Sequence, residues 1–351
     1  ATRNEDYWRG PNGITGEDLP HLDSIEIVVA VDADSRSSSL RSGEFNVIHT
    51  ANSDLISQYL GDDAFKTTST TRYGDTGYIL LNVAEGPDLD PEGANAASPL
   101  LNVDCRRALA YAIDQQRVAD ERGAGLVEPA NGPFPPGSIG YLEDTGYPSF
   151  DLDKAQEEMA ICLEALGTDG FEVQLNTTND PFNVETVALI SSMWDEAFGG
   201  AVKTATTPIE QGAYIGVALT GAFEALTWRS HSGTDPDQQR LWWQKSSASP
   251  IGALALNFGR INDDVMDESL QILKTNPDEA ARQDAAEAVN KRFGEQVYNF
   301  WLTSTLWAVI TQPSVSGVSD NVQPDGTEGI GMVGAGRHQP NQLWCTDGTC
   351  G

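Results

Sequence analysis

The stretch from Phe171 to Trp228 constrains the fold most. It reads as strand "FEVQLNT", helix "VETVALISSMWDEAFG", strand "AVKTATTP", helix "IEQGAYIGVALTG" and strand "AFEALTW". Strands that alternate with amphipathic helices bury both sheet faces, which predicts an α/β layer with parallel strands. The alternation also occurs before Leu81. There "SIEIVVAVDAD" reads as a strand and "SRSSSLRSGE" as a short helix ending near Gly43. "FNVIHT" is a second strand, and "SDLISQYL" a helix with Ser53 as its N-cap. Parallel neighbours are expected here too. Two α/β patterns in 351 residues exceed one small core and predict two lobes.

Between and after these patterns the chain alternates loops and helices. "TGYILLNVAEGP" is a strand running into a Pro-, Gly- and Asp-rich surface loop. Its "DLDPEG" resembles the start of a calcium loop, but the twelfth position, where a bidentate Glu belongs, is Pro99. "VDCRRALAYAIDQQRVAD" is one amphipathic helix and "NGPFPPGSIGY" an irregular loop. "DLDKAQEEMAICLEALG" is a helix from Asp151 at the N-cap to Gly167 at C′. Two further helices are expected at about Asp263–Lys274 and Pro277–Glu295, then a β-rich tail in which Trp301 and Trp307 are core or hinge.

The cysteines divide by position. Cys105 fits the buried stripe 105, 108, 109, 112, 113, and Cys162 the stripe 159, 162, 163, 166, so both read as small core hydrophobes. Cys345 and Cys350 flank a short polar turn. That suits a disulfide contributing roughly 2 kcal/mol by loop entropy, and an oxidising compartment. A metal clip is the rival, but two thiolates without a nearby His or second Cys pair make a poor zinc site. His21, His49, His231 and His338 lie far apart in sequence, so no metal site and no cofactor are expected.

The chain carries 52 acidic against 21 basic residues, a net charge of −31. Such a surface repels phosphate backbones, which argues against nucleic-acid partners; its bland reading is solubility or salt adaptation. No apolar run approaches the ~20 residues of a membrane span. The opening "ATRNEDYWRG" has neither Met nor leader, which reads as a processed or truncated product.

Polar and aromatic residues concentrate in "LTWRSHSGTDPDQQRLWWQKSS", Leu226 to Ser247. Asp235-Pro236-Asp237 reads as an N-cap with Pro at N1, opening the helix "DQQRLWWQ". Trp242 and Trp243 are adjacent and so face different ways, leaving at most one to stack on a solute. Trp228 ends a strand, at the kind of edge where α/β sheets bind ligands, and is assigned to the cleft or to the core.

Several stretches, in order, resemble one family: "RNEDYWRG", "LPHLDSIEI", "SLRSGEFNVI", "LLNV", "CRRALAYAID", "FDLDKAQEEM", "GAFEALTW", "TDPD", "NFGRINDDVMDESL" and "PSVSGV". The family is the peptide/nickel/oligosaccharide solute-binding proteins of ABC importers, family 5. The resemblance implies a two-lobed α/β clamshell of the periplasmic-binding-protein type (type II, cluster C), with the first lobe incomplete. Residues 1–80 would belong to lobe one, 81–308 to lobe two, and 309–351 would return to lobe one. It implies a monomer outside the cytoplasmic membrane, periplasmic or lipid-anchored, that closes on a small or oligomeric solute and delivers it to permease subunits. The expected ligand contacts are Trp228, Arg229, His231, Trp243 and Arg260, with no catalytic residue. Peptide-binding members carry an Asp three residues after the matching Trp, where it holds the peptide's ammonium. This chain has His231 there, which disfavours peptides with a free amine.

The rival class is a secreted glycoside hydrolase, built from sugar-stacking tryptophans and two carboxylates. Asp235 and Asp237 share the first turn of one helix, too close in sequence to flank a scissile bond. The chain also has no Gly-x-Ser-x-Gly, no His-Glu-x-x-His and no phosphate loop.

Overall fold

The computed structural model describes residues 1–30, 32–71, 75–230, 233–346 and 350. In chain order the elements are α1 (Ala33–Ser42), β1 (Val47–Thr50), α2 (Ser53–Tyr59), β2 (Lys66–Thr70), β3 (Thr76–Leu81), α3 (Val103–Tyr111) and α4 (Gln115–Arg122). There follow α5 (Leu152–Leu166), β4 (Phe171–Thr178), α6 (Pro181–Phe198), β5 (Val202–Ala205), β6 (Pro208–Ile209), α7 (Gln211–Thr220) and β7 (Ala225–Arg229). The chain closes with α8 (Arg240–Trp243), α9 (Asp264–Thr275), α10 (Glu279–Gln296), β8 (Asn299–Ser304), β9 (Trp307–Thr311), β10 (Val315–Ser316) and β11 (Trp344–Cys345). These divide into two compact units, Ala1–Gly74 with Thr305–Gly351, and Asp75–Ser304.

The first unit is built differently from its sequence pattern. Its sheet has the order β1-β9-β2, and both pairings are antiparallel. The parallel expectation failed because β9, from the far end of the chain, lies between β1 and β2. The segment around Ile25–Ala30 forms no strand: Ile27 and Val29 are more than 80% exposed, and the alternation there has no sheet to join among the described residues. The α2 cap is Asn52, whose side chain accepts from Leu55 N, and not Ser53. β2, "KTTST", carried no apolar signal and is recruited by β9.

The second unit is a three-layer α/β/α arrangement. Its sheet runs β5-β4-β7-β3-β8, with β5, β4 and β7 parallel and β3 antiparallel to both its neighbours. Strand alternation sends Ile79, Leu81, Val173, Leu175, Ala225 and Phe300 to one face, against helices α3, α5 and α6. Tyr78, Leu80, Leu226 and Trp301 point to the other, against α7, α9 and α10. Burying this many large apolar side chains, each contributing roughly 1.5–3 kcal/mol, holds both helix layers to the sheet.

Local chemistry sets the helix ends. Asp151 caps α5 through Lys154 N, and Gly167 closes it in the left-handed region at φ 67°. Asp180 caps α6, with Pro181 in its first turn. The helix expected from Val103 onward is instead broken in two. Asp114 turns extended and accepts from Arg117 N at 2.9 Å, starting α4 afresh. Cys105 and Cys162 are fully buried, as their stripes require, but they are not free core residues: a disulfide joins them and ties α3 to α5. Cys345 and Cys350 are also bridged.

Candidate functional site

In the second unit's sheet β7 lies between β3 and β4, and its side away from β3 is left open by strand pairing over part of its length. β7 pairs with β3 along its whole length, from Ala225 to Arg229. Its partner on the other side, β4, stays with it only at Leu175↔Ala225 and Asn176↔Leu226, then leaves to pair with β6 from Thr177. Asn82 N donates to Glu224 O and Ser230 N to Thr76 O, so even-numbered residues of this strand bond towards β3. Thr227 therefore turns its backbone to the opening, where its carbonyl accepts from the Tyr214 hydroxyl at 2.5 Å. The Thr227 hydroxyl lies 2.9 Å from that of Thr177 and 3.1 Å from that of Tyr214. Burial pushes the Tyr214 phenol above its usual range, so it stays a neutral donor.

Trp228 stands on the Tyr78–Trp301 face and is only partly buried. Its ring stacks on Tyr214, with centroids 5.7 Å apart and planes at 18°. It meets Phe258 edge-on at 5.2 Å, and Phe258 in turn packs against Trp242 at 5.4 Å. Arg229, one residue on, points to the opposite face. Its Nε lies 3.8 Å from Oδ2 of Asp75, a carboxylate only 2% exposed, while its own side chain is about half exposed (49%). Burial draws the Arg229 guanidinium down, opposed by the Asp75 charge. Trp228 and Arg229 thus flank one strand end on opposite sides.

Two expected contacts are corrected. Trp243 is 3% exposed and packs against Phe293 at 4.8 Å, so it is core. Trp242 faces the other way, as adjacent helical residues must. Arg260 is fully buried, and its guanidinium donates to the carbonyls of Ala218, Phe258, Leu219 and Ala253. Through its two terminal nitrogens it braces the backbone, while its Nε is buried and has no hydrogen-bond partner. His231 lies outside the described residues. Asp235 caps the short helix through Asp237 N and pairs with Arg282, while Asp237 pairs with Arg240. Neither is poised as a glycosidase acid. Trp301 and Trp307 are both buried. Tyr214 and Phe258 were missed: one sits on a helix among small apolar residues, the other beside the more conspicuous Arg260, and neither context marks a site. Among the described residues, no three His, Cys, Asp or Glu side chains converge to hold a metal.

The family model described as bacterial extracellular solute-binding proteins, family 5 Middle, matches residues 1–252, and the chain belongs to that family. Its place is accordingly outside the cytoplasmic membrane, and no helix among the described residues is long and apolar enough to cross one. A curated relative, heme-binding protein A of Haemophilus influenzae, is 25% identical over 288 residues, covering 80% of this chain and 47% of that protein. The fold is shared with the periplasmic binding protein DppA from Helicobacter pylori in complex with peptide STSA (TM-score 0.75, 21% identity, 98% of this chain and 60% of that one). It is also shared with AgaA from Agrobacterium tumefaciens R10 in complex with agropinic acid (TM-score 0.76, 19% identity, 98% and 63%). The chain thus spans about half the length of the curated relative and under two thirds of these solved ones.

Proposed function

We propose that this protein captures a polar, peptide-like solute outside the membrane and hands it to the permease of an ABC importer, performing no chemistry on it. The solute is held at the open end of β7. The observation that supports this most is the half-buried Trp228, stacked on Tyr214 where β4 parts from β7. An aromatic face can cover the apolar part of a solute, and because Tyr214 already takes the Thr227 carbonyl, side chains and not strand pairing would hold the rest. Arg229, on the other side of the strand, is the charged contact for a carboxylate. His231, in place of a carboxylate, selects against a free ammonium group, so N-blocked peptides and other amine-free acids fit better than ordinary peptides.

Native mass spectrometry of gently purified protein would show a retained solute as added mass, and its fragments would give its class. Titration of tryptophan fluorescence with N-acetyl-tripeptide, the same tripeptide with a free amine, and maltotriose would then rank the candidates. The blocked peptide is expected to bind best, and Trp228→Ala to weaken it up to roughly tenfold, the scale of a lost aromatic contact. Equal binding by the variant, or preference for maltotriose, would overturn the reading.

A further inference from the structure

Beyond β7 in the chain, the turn 233–239 lies against the loop 134–139. Both segments are anchored to α10, but at different places. Asp235 of the turn pairs with Arg282, and the Gly140 carbonyl at the end of the loop accepts from Asn290 Nδ2 at 3.0 Å. Proline stiffens each side, with Pro135 and Pro136 in the loop and Pro236 in the turn. Walls that are stiff and separately held do not collapse onto one another, so a small space persists between them. It leaves about 10 Å3 for the centre of a water-sized sphere, between the apolar side chains of Phe134, Pro135, Ile139 and Pro236. Gln239 and Ser138 also line it. Gln239 is only 2% exposed, and neither its Nε2 nor its Oε1 has a hydrogen-bond partner within the chain. The Ser138 hydroxyl oxygen is likewise buried and without such a partner. Native chains rarely leave a whole amide unsatisfied.

The groups that line the space select what can satisfy them. Nε2 only donates and so opposes a cation, Oε1 only accepts and so opposes an anion, and the Ser138 hydroxyl does either. The carboxylate at the rim, Asp235, is already paired with Arg282 and accepts from Asp237 N. A neutral group that both donates and accepts is therefore required. Size then decides which one. A single water needs roughly 10–15 Å3 by the same measure and two to four polar partners, and nothing larger fits. A water here accepts from Nε2, donates to Oε1 and takes the Ser138 hydroxyl as its third partner.

We propose that one water molecule is an integral part of this unit, bound between Gln239 and Ser138, where it clips the turn beyond β7 to the loop 134–139. The clip does not depend on which solute the protein captures. NMR of the whole chain tests it, through magnetisation transfer from water to the Gln239 side-chain amide. The transfer is expected with the sign of a water that tumbles with the protein. A high-resolution crystal structure should place the water oxygen within about 3.2 Å of Nε2, Oε1 and the Ser138 hydroxyl. Gln239→Leu, which removes both amide atoms at similar volume, should abolish the transfer as read at neighbouring backbone amides. It should also raise hydrogen exchange at Ser138 and Gln238 several-fold while leaving α10 unchanged. Ser138→Ala, a milder change, should keep the water but shorten its residence. No transfer and no density, a Gln239 amide bonded directly to the protein, or a signal that survives in Gln239→Leu would overturn the site. Unchanged exchange at Ser138 and Gln238 in Gln239→Leu would overturn the clip.

Discussion

Replacing both Cys105 and Cys162 by Ala should destabilise the 75–304 unit far more than replacing Cys345 and Cys350 destabilises its own. The two bridges close loops of very different length, with sequence separations of 57 and 5. The chain-entropy relation gives about 14 cal/mol/K for the long loop, or about 4 kcal/mol at 25 °C, and about 2 kcal/mol for the short one. Both buried cysteines sit in the packed seam between α3 and α5, so the lost sulfur atoms add roughly 1 kcal/mol of vacated space. At about 2–4 °C per kcal/mol for a unit of this size, the melting point should fall by roughly 10–20 °C. Urea unfolding followed by tryptophan emission would measure it, because Trp194 lies in that core with its Nε1 bonded to Leu109 O at 3.0 Å. The slope against urea should also rise, since the uncrosslinked unfolded chain exposes more surface. Hydrogen exchange of α3 and α5 would locate the loss. A cost below about 1 kcal/mol, or one no larger than that of the tail bridge, would refute the loop-entropy argument.

Three other outcomes are expected. Arg260→Met should cost about 3–5 kcal/mol by stripping four carbonyls, two of them in fully buried bonds, of their donors, and Arg260→Lys should not restore it, since an ammonium has three donors and no planar fork; calorimetry checks both. Stability should fall as pH rises through about 10, the usual phenol value, because burial holds Tyr78, Tyr147, Tyr214 and Tyr298 well above it and only their unfolded forms ionise there. Arg106 and Arg260, drawn down to about 10 by burial, and Arg229, also drawn down, act in the opposite sense at high pH, but three guanidiniums are outweighed by four phenols. Absorbance at the phenolate band should therefore show those four titrating only as the chain unfolds, and four freely titrating phenols in folded protein would contradict the burial. Finally, a net charge of −31 predicts a higher melting temperature in molar salt than in dilute buffer, with a flat response counting against self-repulsion.

Local chemistry was legible in the sequence at several element ends, though not at Asn52 and Asp114, whose caps the pattern did not mark. Asp151 and Gly167 bound α5 because capping needs only a side-chain oxygen and a left-handed turn. The alternation from Phe171 to Trp228 carried the parallel β5-β4-β7 core, since its period is set by burial on both sheet faces. Asp235-Pro236 opened its short helix for the same local reason. Partnership was not legible. "SIEIVVAVDAD" has a strand's pattern and no strand, whereas the polar "KTTST" is a strand, because pairing depends on what arrives alongside. The link between Cys105 and Cys162 likewise depends on segments far apart in the chain, 57 residues from one to the other.

The site divides the same way. The sequence alone determined that aromatic and polar groups cluster at the end of "AFEALTW", because composition and strand position are written in residue order. Only the tertiary structure decided which of them face outward. Trp243 and Arg260 look as available as Trp228, yet Phe293 covers one and four backbone carbonyls occupy the other. Tyr214 reaches Thr227 only because α7 packs across the gap that β4 leaves. Burial is a property of distant chain segments meeting in space, so residue type proposes a contact and packing disposes of it.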